Sequence, residues 1–225
     1  MPIILSIETS TTNCSVSLSK KGETLALKED NNANYSHAES LHVFIDEVLK
    51  SANINKTDID AIAVSKGPGS YTGLRIGVSA AKGLCYALDK PLISISTLHA
   101  LAHQVNTQKG VIVSMLDARR MEVYSAIYDS QFNLLRNIEA QILDEFSFKE
   151  ELENGKVFFV GNGTEKTKAL LSHDNAIYID NKLPSANEMS ALAYYKYKIG
   201  DIEDVAYFEP FYLKDFIALK PKLKS

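Results

Sequence analysis

The chain has 225 residues, of which 45% are hydrophobic and 23% are charged, a balance typical of globular rather than disordered proteins. Its formal net charge of -4 provides no overall positive field that would attract nucleic acid. The first apolar run is interrupted at Glu8, too early for a signal peptide, and no run approaches the ~20 apolar residues of a membrane span. We therefore expect a cytoplasmic protein without a membrane segment, in which Cys14 and Cys85 are buried, reduced thiols.

The first strands follow one another directly along the chain. Residues 3–7 form a short, β-branched apolar run. Residues 14–19 and 23–28 flank a turn at Lys21-Gly22, and polar and apolar residues alternate along the first of these segments. This pattern predicts three consecutive strands joined by tight turns.

Two well-marked helices come next. Ser36 and Glu39 have the spacing of a capping box at the start of a helix. The apolar residues behind them recur on one helical face: Leu41, Phe44, Ile45, Val48, Leu49 and Ala52. A strand at residues 60–65 then leads through a glycine-rich loop into a second helix over residues 73–88.

The first 105 residues predict the order β-β-β-α-β-α-β-α, which is completed by a strand at residues 91–96 and a third helix capped by Thr97. This order is typical of a mixed sheet with helices packed on it, and we expect residues 1–105 to form one lobe. Residues 106–225 predict a smaller, degenerate second lobe without a visible sequence repeat. Its elements are strands at 111–116, 123–128, 134–143 and 157–160, and helices at 164–171 and 188–198, the last capped by Asn187.

The loop Gly67-Pro-Gly-Ser-Tyr-Thr is the most distinctive local feature. Two glycines around a proline make a tight connection, and Ser70 and Thr72 are placed to cap the following helix. Such a loop aims free amides and a positive helix end at one point, which suits a phosphate. It is not a P-loop, because no Gly-Lys-Ser/Thr follows. The alternative is a purely structural turn.

A second polar turn follows the first strand, where Glu8, Thr9 and Ser10 supply a carboxylate and two hydroxyls. In an enzyme this turn could hold a phosphate or a nucleotide while the acid binds metal or activates water. The alternative is a hydroxyl-rich β-turn whose side chains satisfy local amides.

The second helix is apolar over much of its circumference. Gly73, Gly77 and Ala81 form a stripe of small residues, beside a stripe of large residues at Leu74, Val78, Cys85 and Leu88. Such a helix must be buried on more than one side. One side can face its own sheet, and the other requires either a second internal layer or a partner protein.

No catalytic constellation is visible in the sequence. His99 and His103 are four residues apart, a spacing that can share a metal, but the glutamate of an HExxH motif is missing. There is no G-x-S-x-G elbow, and neither cysteine has a neighbouring His or Lys in sequence. The segment from Asp117 to Glu122 is a dense charged cluster at a turn between strands, without an assigned role.

Five motifs closely resemble the TsaB (YeaZ) family: Ile7-Glu8-Thr9-Ser10, the segment from Gly67 to Gly77, Ser96-Thr97-Leu98, Asp117-Ala-Arg119 and Pro210-Phe-Tyr-Leu-Lys214. The match runs through the whole chain. Members of this family are similar to the actin, sugar-kinase and heat-shock ATPase (ASKHA) superfamily. The resemblance therefore implies an α/β fold of two lobes with related topology, each with a mixed sheet and packed helices.

The resemblance also implies a scaffold subunit without a catalytic site, cofactor or metal of its own. Its partner would be TsaD, which transfers a threonylcarbamoyl group to the adenosine next to the anticodon of tRNA. A TsaE-like ATPase would join the complex, tRNA would be bound only through the complex, and the chain alone would form a homodimer. The metal-binding H-x-x-x-H of TsaD enzymes falls on Thr97 and Leu101 here, neither of which is a ligand of that kind. The alternative is an autonomous ATPase or peptidase of the same fold.

In this family the first two helices form the surface that contacts TsaD or a second copy. The residues expected at this interface are Leu41, Phe44, Ile45, Val48, Gly73, Leu74, Gly77, Val78, Ala81 and Cys85. A charge at Val78 is accordingly expected to weaken pairing more than folding.

Overall fold

The computed structural model describes residues 1–31 and 37–214, which form two five-stranded mixed sheets with helices packed on them. The first sheet contains β1 (Ile3–Glu8), β2 (Asn13–Lys20), β3 (Glu23–Asn31), β4 (Ala61–Gly67) and β5 (Leu92–Ser96). Their spatial order is β3-β2-β1-β4-β5. Strands β1, β2 and β3 pair antiparallel, whereas β1, β4 and β5 pair parallel. The predicted mixed sheet is confirmed.

Helices cover both faces of the first sheet. Helices α1 (His37–Ala52) and α2 (Tyr71–Leu88) pack on the face that carries Leu5 and Ile7. Helix α6 (Ala186–Ile199) packs on the opposite face through Ala186, Met189 and Ala193, against Ile4, Ala61, Ala63, Ile93 and Ile95. Because side chains alternate along a strand, neighbouring residues of β1 contribute to two different cores.

The second sheet repeats the topology of the first. It contains β6 (Val111–Asp117), β7 (Glu122–Asp129), β8 (Leu134–Ile142), β9 (Val157–Val160) and β10 (Ala176–Ile179) in the order β10-β9-β6-β7-β8. As in the first sheet, three antiparallel strands are extended by two parallel ones. Two lobes of related topology are the architecture of the ASKHA superfamily, and the predicted fold class is thereby confirmed.

Three shorter helices complete the described structure. Helix α3 (Thr97–Ala102) contacts both sheets, since Ala100 joins the core beneath α6 while Leu98 and Leu101 pack on the second sheet. Helices α4 (Lys149–Asn154) and α5 (Thr164–Leu170) belong to the second lobe, and a 3-10 turn occupies Lys56–Asp58. The boundary at residues 105 and 106 stays a prediction, and α6 returns from the second half to the first sheet.

The structure corrects several predicted details. Strand β10 and helix α4 were not expected, because each is too short to carry a periodic pattern. The hydroxyl of Ser96, not that of Thr97, accepts the capping hydrogen bond of α3, at 3.4 Å from the His99 amide. Ser185, not Asn187, caps α6. The predicted cap Ser36 lies outside the described residues.

Candidate functional site

The turn after β1 packs closely against the start of α2. The Ser70 amide donates to the carbonyl oxygen of Ser10 at 2.7 Å. A Cβ atom at Gly69 would lie 2.5 Å from that same oxygen, and one at Gly73 would lie 2.1 Å from the carbonyl oxygen of Thr9. Both distances are below van der Waals contact, so glycine is what allows the two segments to approach this closely.

The polar atoms of this region are largely satisfied by the chain itself. The Thr9 hydroxyl donates to the carbonyl oxygen of Gly73 at 2.8 Å, and the Ser70 hydroxyl caps α2 by accepting from the Gly73 amide at 3.3 Å. Of the residues predicted to contact phosphate, Glu8, Thr9 and Ser10 are at most 1% exposed, whereas Thr72 is exposed. In this conformation almost none of the surface of the turn is accessible to an anion. Phosphate contact stays a prediction.

Glu8 is a buried carboxyl group at the end of β1. Its Oε1 accepts a hydrogen bond from the Ser10 amide at 2.6 Å, and its Oε2 has no hydrogen-bond partner among the described residues. Burial raises the pKa of Glu8 above its ordinary value, an effect that the Ser10 hydrogen bonds oppose. In this conformation the carboxyl group is not exposed to solvent.

The ten residues predicted at a partner interface lie in the chain's own core. Leu41, Phe44, Ile45, Val48, Gly73, Leu74, Gly77, Val78, Ala81 and Cys85 are all buried. The small-residue stripe of α2 faces the turn after β1, because a Cβ atom at Gly77 would lie 2.3 Å from the Thr9 hydroxyl. Helical periodicity thus identified the inward faces of both helices. Val78 packs in the core beneath α1, so a charge there is expected to disrupt folding itself. Contact of these ten residues with a partner stays a prediction.

The two cysteines are free and buried, as predicted. Burial raises the pKa of Cys14 to about 11 and that of Cys85 to about 12. Both side chains are therefore unreactive thiols at neutral pH.

The outer surfaces of α1 and α2 form an open groove of about 780 Å³. It is lined by Ala38, Leu41, His42, Tyr71, Thr72, Arg75, Ile76, Ser79, Ala80, Gly83 and Leu84. Ile76, Ala80 and Leu84 are partly buried and form its apolar part. No atom lies within 4 Å of a Cβ position at Gly83, so the groove is open directly above α2 at this residue. Of the ten predicted residues, Leu41 is the one that reaches this groove.

The two histidines of α3 are held in ring contacts. His99 stacks on Tyr128 with ring centroids 5.2 Å apart, and His103 stacks on Phe132 at 3.9 Å. Burial lowers the pKa of His103 to about 4 and also lowers that of His99. Within the described residues, no three His, Cys, Asp or Glu side chains are grouped so that they could hold a metal ion.

Thr97 and Leu101 are the two residues on which the family resemblance places the metal-binding histidines of TsaD enzymes. The Thr97 hydroxyl lies 2.6 Å from the Ser65 hydroxyl in a buried hydrogen bond, and Leu101 is buried between α3 and the second sheet. Both side chains serve internal packing at the point where α3 contacts β4 and β6.

Comparison with known proteins identifies the family. The family model described as "TsaD: tRNA N6-adenosine threonylcarbamoyltransferase" matches residues 31–221. The chain is 31% identical to the tRNA threonylcarbamoyladenosine biosynthesis protein TsaB of Haemophilus influenzae, over 96% of this chain and 95% of that protein. The chain belongs to the TsaB (YeaZ) family. The crystal structure of YeaZ from Pseudomonas aeruginosa superposes with a TM-score of 0.81 at 26% identity, covering 95% of this chain and 100% of that one.

The TsaB family is related to the enzymes that its family model describes. A tRNA N6-adenosine threonylcarbamoyltransferase of Staphylococcus haemolyticus is 42% identical over 108 residues, which cover 41% of this chain and 32% of that enzyme. The shared segment is a minor part of the enzyme, whereas the match to the TsaB of Haemophilus influenzae covers 95% of that protein. Among residues 1–31 and 37–214, no helix combines the length and apolar character that are needed to cross a membrane.

Proposed function

We propose that this chain is a non-catalytic subunit in the synthesis of threonylcarbamoyladenosine on tRNA and that it pairs with a TsaD-type enzyme through the groove between α1 and α2. The observation that carries the pairing is the open groove of about 780 Å³, whose apolar part is formed by Ile76, Ala80 and Leu84. A TsaE-type ATPase joins the pair, and a second copy of the chain occupies the groove when the enzyme is absent. The proposal places all of these proteins in the cytoplasm.

The composition of the groove supports a protein partner. Ile76, Ala80 and Leu84 present aliphatic groups along one side of α2, while His42 and Arg75 supply polar groups at its rim. An apolar centre with a polar rim is typical of protein interfaces. The TsaD-type relatives share a segment that covers 41% of this chain, and this relationship supports a partner of that kind.

The packing of the first lobe supports a non-catalytic role. Glu8 is enclosed by the turn after β1, and Thr97 and Leu101 replace the metal-binding histidines of the related enzymes. Neither an ATPase nor a peptidase mechanism gains support from any arrangement of the described side chains, since the one buried carboxyl in the turn is packed against its own chain.

The pairing is tested by placing a charge in the groove without disturbing the fold. Gly83→Glu adds a side chain at a position where residues 1–31 and 37–214 place no atom outside the local helix backbone within 4 Å of the Cβ. Removing glycine from the interior of a helix stabilises it by up to about 1 kcal/mol, so the variant is expected to fold at least as well as the wild type. Burying the unpaired carboxylate against a partner is expected to weaken the complex by at least about 30-fold, or about 2 kcal/mol.

The matched control is Tyr86→Glu, which places the same charge on the same helix at a residue that is 89% exposed and does not line the groove. The assay is size-exclusion chromatography with light scattering, followed by titration of the chain with a purified TsaD-type enzyme. Equal affinity of the wild type and Gly83→Glu would exclude the groove as the interface. Threonylcarbamoyl transfer by the isolated chain would refute the non-catalytic role.

A further inference from the structure

The last described segment of the chain, residues 203–214, forms a strap across the edge of the first lobe. The side-chain amine of Lys82 donates to the carbonyl oxygens of Ala206 and Phe208 at 3.0 and 3.1 Å. The Phe211 amide then donates to the carbonyl oxygen of Lys66 at 2.7 Å. The strap therefore runs along α2 and reaches the carboxyl end of β4.

The strap continues from α2 to the second lobe. The ring of Tyr212 contacts the ring of Tyr71 with centroids 4.8 Å apart, and the Arg75 guanidinium donates to the Tyr71 hydroxyl at 3.0 Å. The amine of Lys214 pairs with the carboxylate of Glu122 at the start of β7. These contacts place one end of α2 and the turn between β6 and β7 on one continuous surface.

The acidic side chains of the turn between β6 and β7 are paired with lysines. Lys166 pairs with Asp117 at 2.7 Å and also donates to the carbonyl oxygens of Arg120 and Glu122 at 2.7 and 3.0 Å. Glu122 is paired with Lys214. The two acids of the turn are therefore already bound to cations of the same chain.

The arginines of the same turn are exposed. Arg119 and Arg120 have left-handed backbones, with φ of 70° and 51°, and both residues are exposed. Neither side chain forms an ion pair with any other residue in the described part of the chain. An exposed pair of arginines without carboxylate partners is suited to bind phosphate groups.

Cations and aromatic rings are thus interleaved along this surface. Its cations are Lys66, Arg75, Arg119, Arg120, Lys166 and Lys214, and its acids are Asp117, Glu122 and Glu209. Phe211 and Tyr212 on the strap are 43% and 37% exposed. The cations of this surface therefore outnumber its acids, although the chain has a net charge of -4.

We propose that the strap and the β6–β7 turn bind tRNA directly, with Arg119 and Arg120 on phosphate groups and the strap aromatics available for stacking on unpaired bases. This inference rests on the proposed function, because tRNA is the substrate of the complex. A basic surface with interleaved aromatic residues is what single-stranded and looped RNA requires. This surface meets the groove between α1 and α2 at Tyr71 and Arg75, whereas Arg119 and Arg120 do not line the groove.

The test removes both charges while preserving the turn. Asn and Gly adopt a left-handed backbone more readily than other residues, so Arg119→Asn with Arg120→Gly keeps the conformation of the turn. The control is Lys109→Ala with Lys156→Ala, which removes the same charge from exposed residues just before β6 and β9, at the opposite end of the sheet. Binding is measured by anisotropy of a labelled, unmodified tRNA transcript with adenosine next to the anticodon, on the preassembled complex with the TsaD-type enzyme.

We expect the double-arginine variant to bind this tRNA about 30-fold more weakly near physiological salt, and the slope of log affinity against log salt concentration to fall by about 2. The control variant is expected to match the wild type in both quantities. Affinity and slope that are unchanged in the arginine variant would overturn the inference and leave the pairing with the enzyme intact. Weaker binding of the enzyme itself, with normal tRNA binding by the complexes that form, would instead make the surface a protein-binding one and would also overturn it. If no complex forms with the wild-type chain, both proposals fail.

Discussion

Substituting two glycines of α2 distinguishes internal packing from partner packing. At Gly73, a Cβ atom would lie 2.1 Å from the carbonyl oxygen of Thr9, a backbone atom that cannot move without displacing the turn after β1. At Gly83, a Cβ atom has no neighbour within 4 Å. Gly73→Ala and Gly83→Ala are therefore the same chemical change on one helix, made at a closely packed position in the first case and at an open position in the second.

The expected magnitudes follow from these surroundings. Overpacking of a well-packed region costs about 1–3 kcal/mol, and displacing Thr9 also strains its hydrogen bond to the Gly73 carbonyl, worth about 1 kcal/mol. We therefore expect Gly73→Ala to lower the free energy of unfolding by about 3 kcal/mol. Gly83→Ala gains up to about 1 kcal/mol of helix propensity. For a chain of this size, 1 kcal/mol shifts Tm by about 2–4 °C, so Tm should fall by about 6–12 °C in the first variant and rise by about 2–4 °C in the second.

The assay is calorimetry together with urea unfolding followed by circular dichroism, on the isolated chain at a concentration at which it is monomeric. Comparable stabilisation by both substitutions would refute the close approach of α2 to the turn after β1. In that case the small-residue stripe would be free to contact a partner.

Two further predictions concern the pH dependence of folding stability, to which His103 and Glu8 contribute with opposite signs. The pKa of His103 falls from its ordinary 6.5 to about 4 in the folded chain, so the unfolded chain binds more protons and stability is lost as pH falls through this window. His103→Phe keeps the ring contact with Phe132 and cannot titrate. We expect the loss of stability between pH 7 and pH 4 to be smaller in this variant by about 1–2 kcal/mol, a value reduced for the partial exposure of the ring. An unchanged pH dependence of urea unfolding would contradict this. The pKa of Glu8 is raised, so the folded chain retains its proton longer and the wild type loses stability as pH rises above the ordinary value of 4.5. Glu8→Gln can still accept the Ser10 hydrogen bond and cannot titrate. The stability of this variant relative to the wild type should therefore increase from pH 5 to pH 8. A constant difference in urea midpoint would show that the pKa of the carboxyl group does not change on folding.

The long elements of the fold could be predicted from local pattern. Residues 3–7, 14–19 and 23–28 became β1, β2 and β3, because β-branched runs and a tight turn at Lys21-Gly22 act between neighbours in sequence. The apolar faces of α1 and α2 were likewise readable, since helical spacing brings their residues onto one side. The family motifs placed the chain in the TsaB family before any contact was known.

The details of short elements could not be predicted in this way. Strand β10 and helix α4 contain four and six residues, too few for a period to show. The choice between Ser96 and Thr97 as the cap of α3 depends on where β5 ends, and that point is set by its pairing with β4. The duplicated topology of the two sheets is not visible as a sequence repeat and was expected only through the family resemblance, because equivalent strands share a place in the fold and not a set of residues.

The sequence by itself determined which residues of α2 are buried, but only the tertiary structure decided what buries them. The small stripe meets the turn after β1 through Gly73 and Gly77, a contact between segments more than sixty residues apart that no local pattern encodes. The same holds for the strap, whose contacts with Lys66 and Glu122 join parts of the chain that are distant in sequence. Residue types and spacing specify which surfaces must be covered, because hydrophobic burial depends on local composition. The covering partner is specified by packing of the whole chain, since shape and close approach exist only once both sheets have formed.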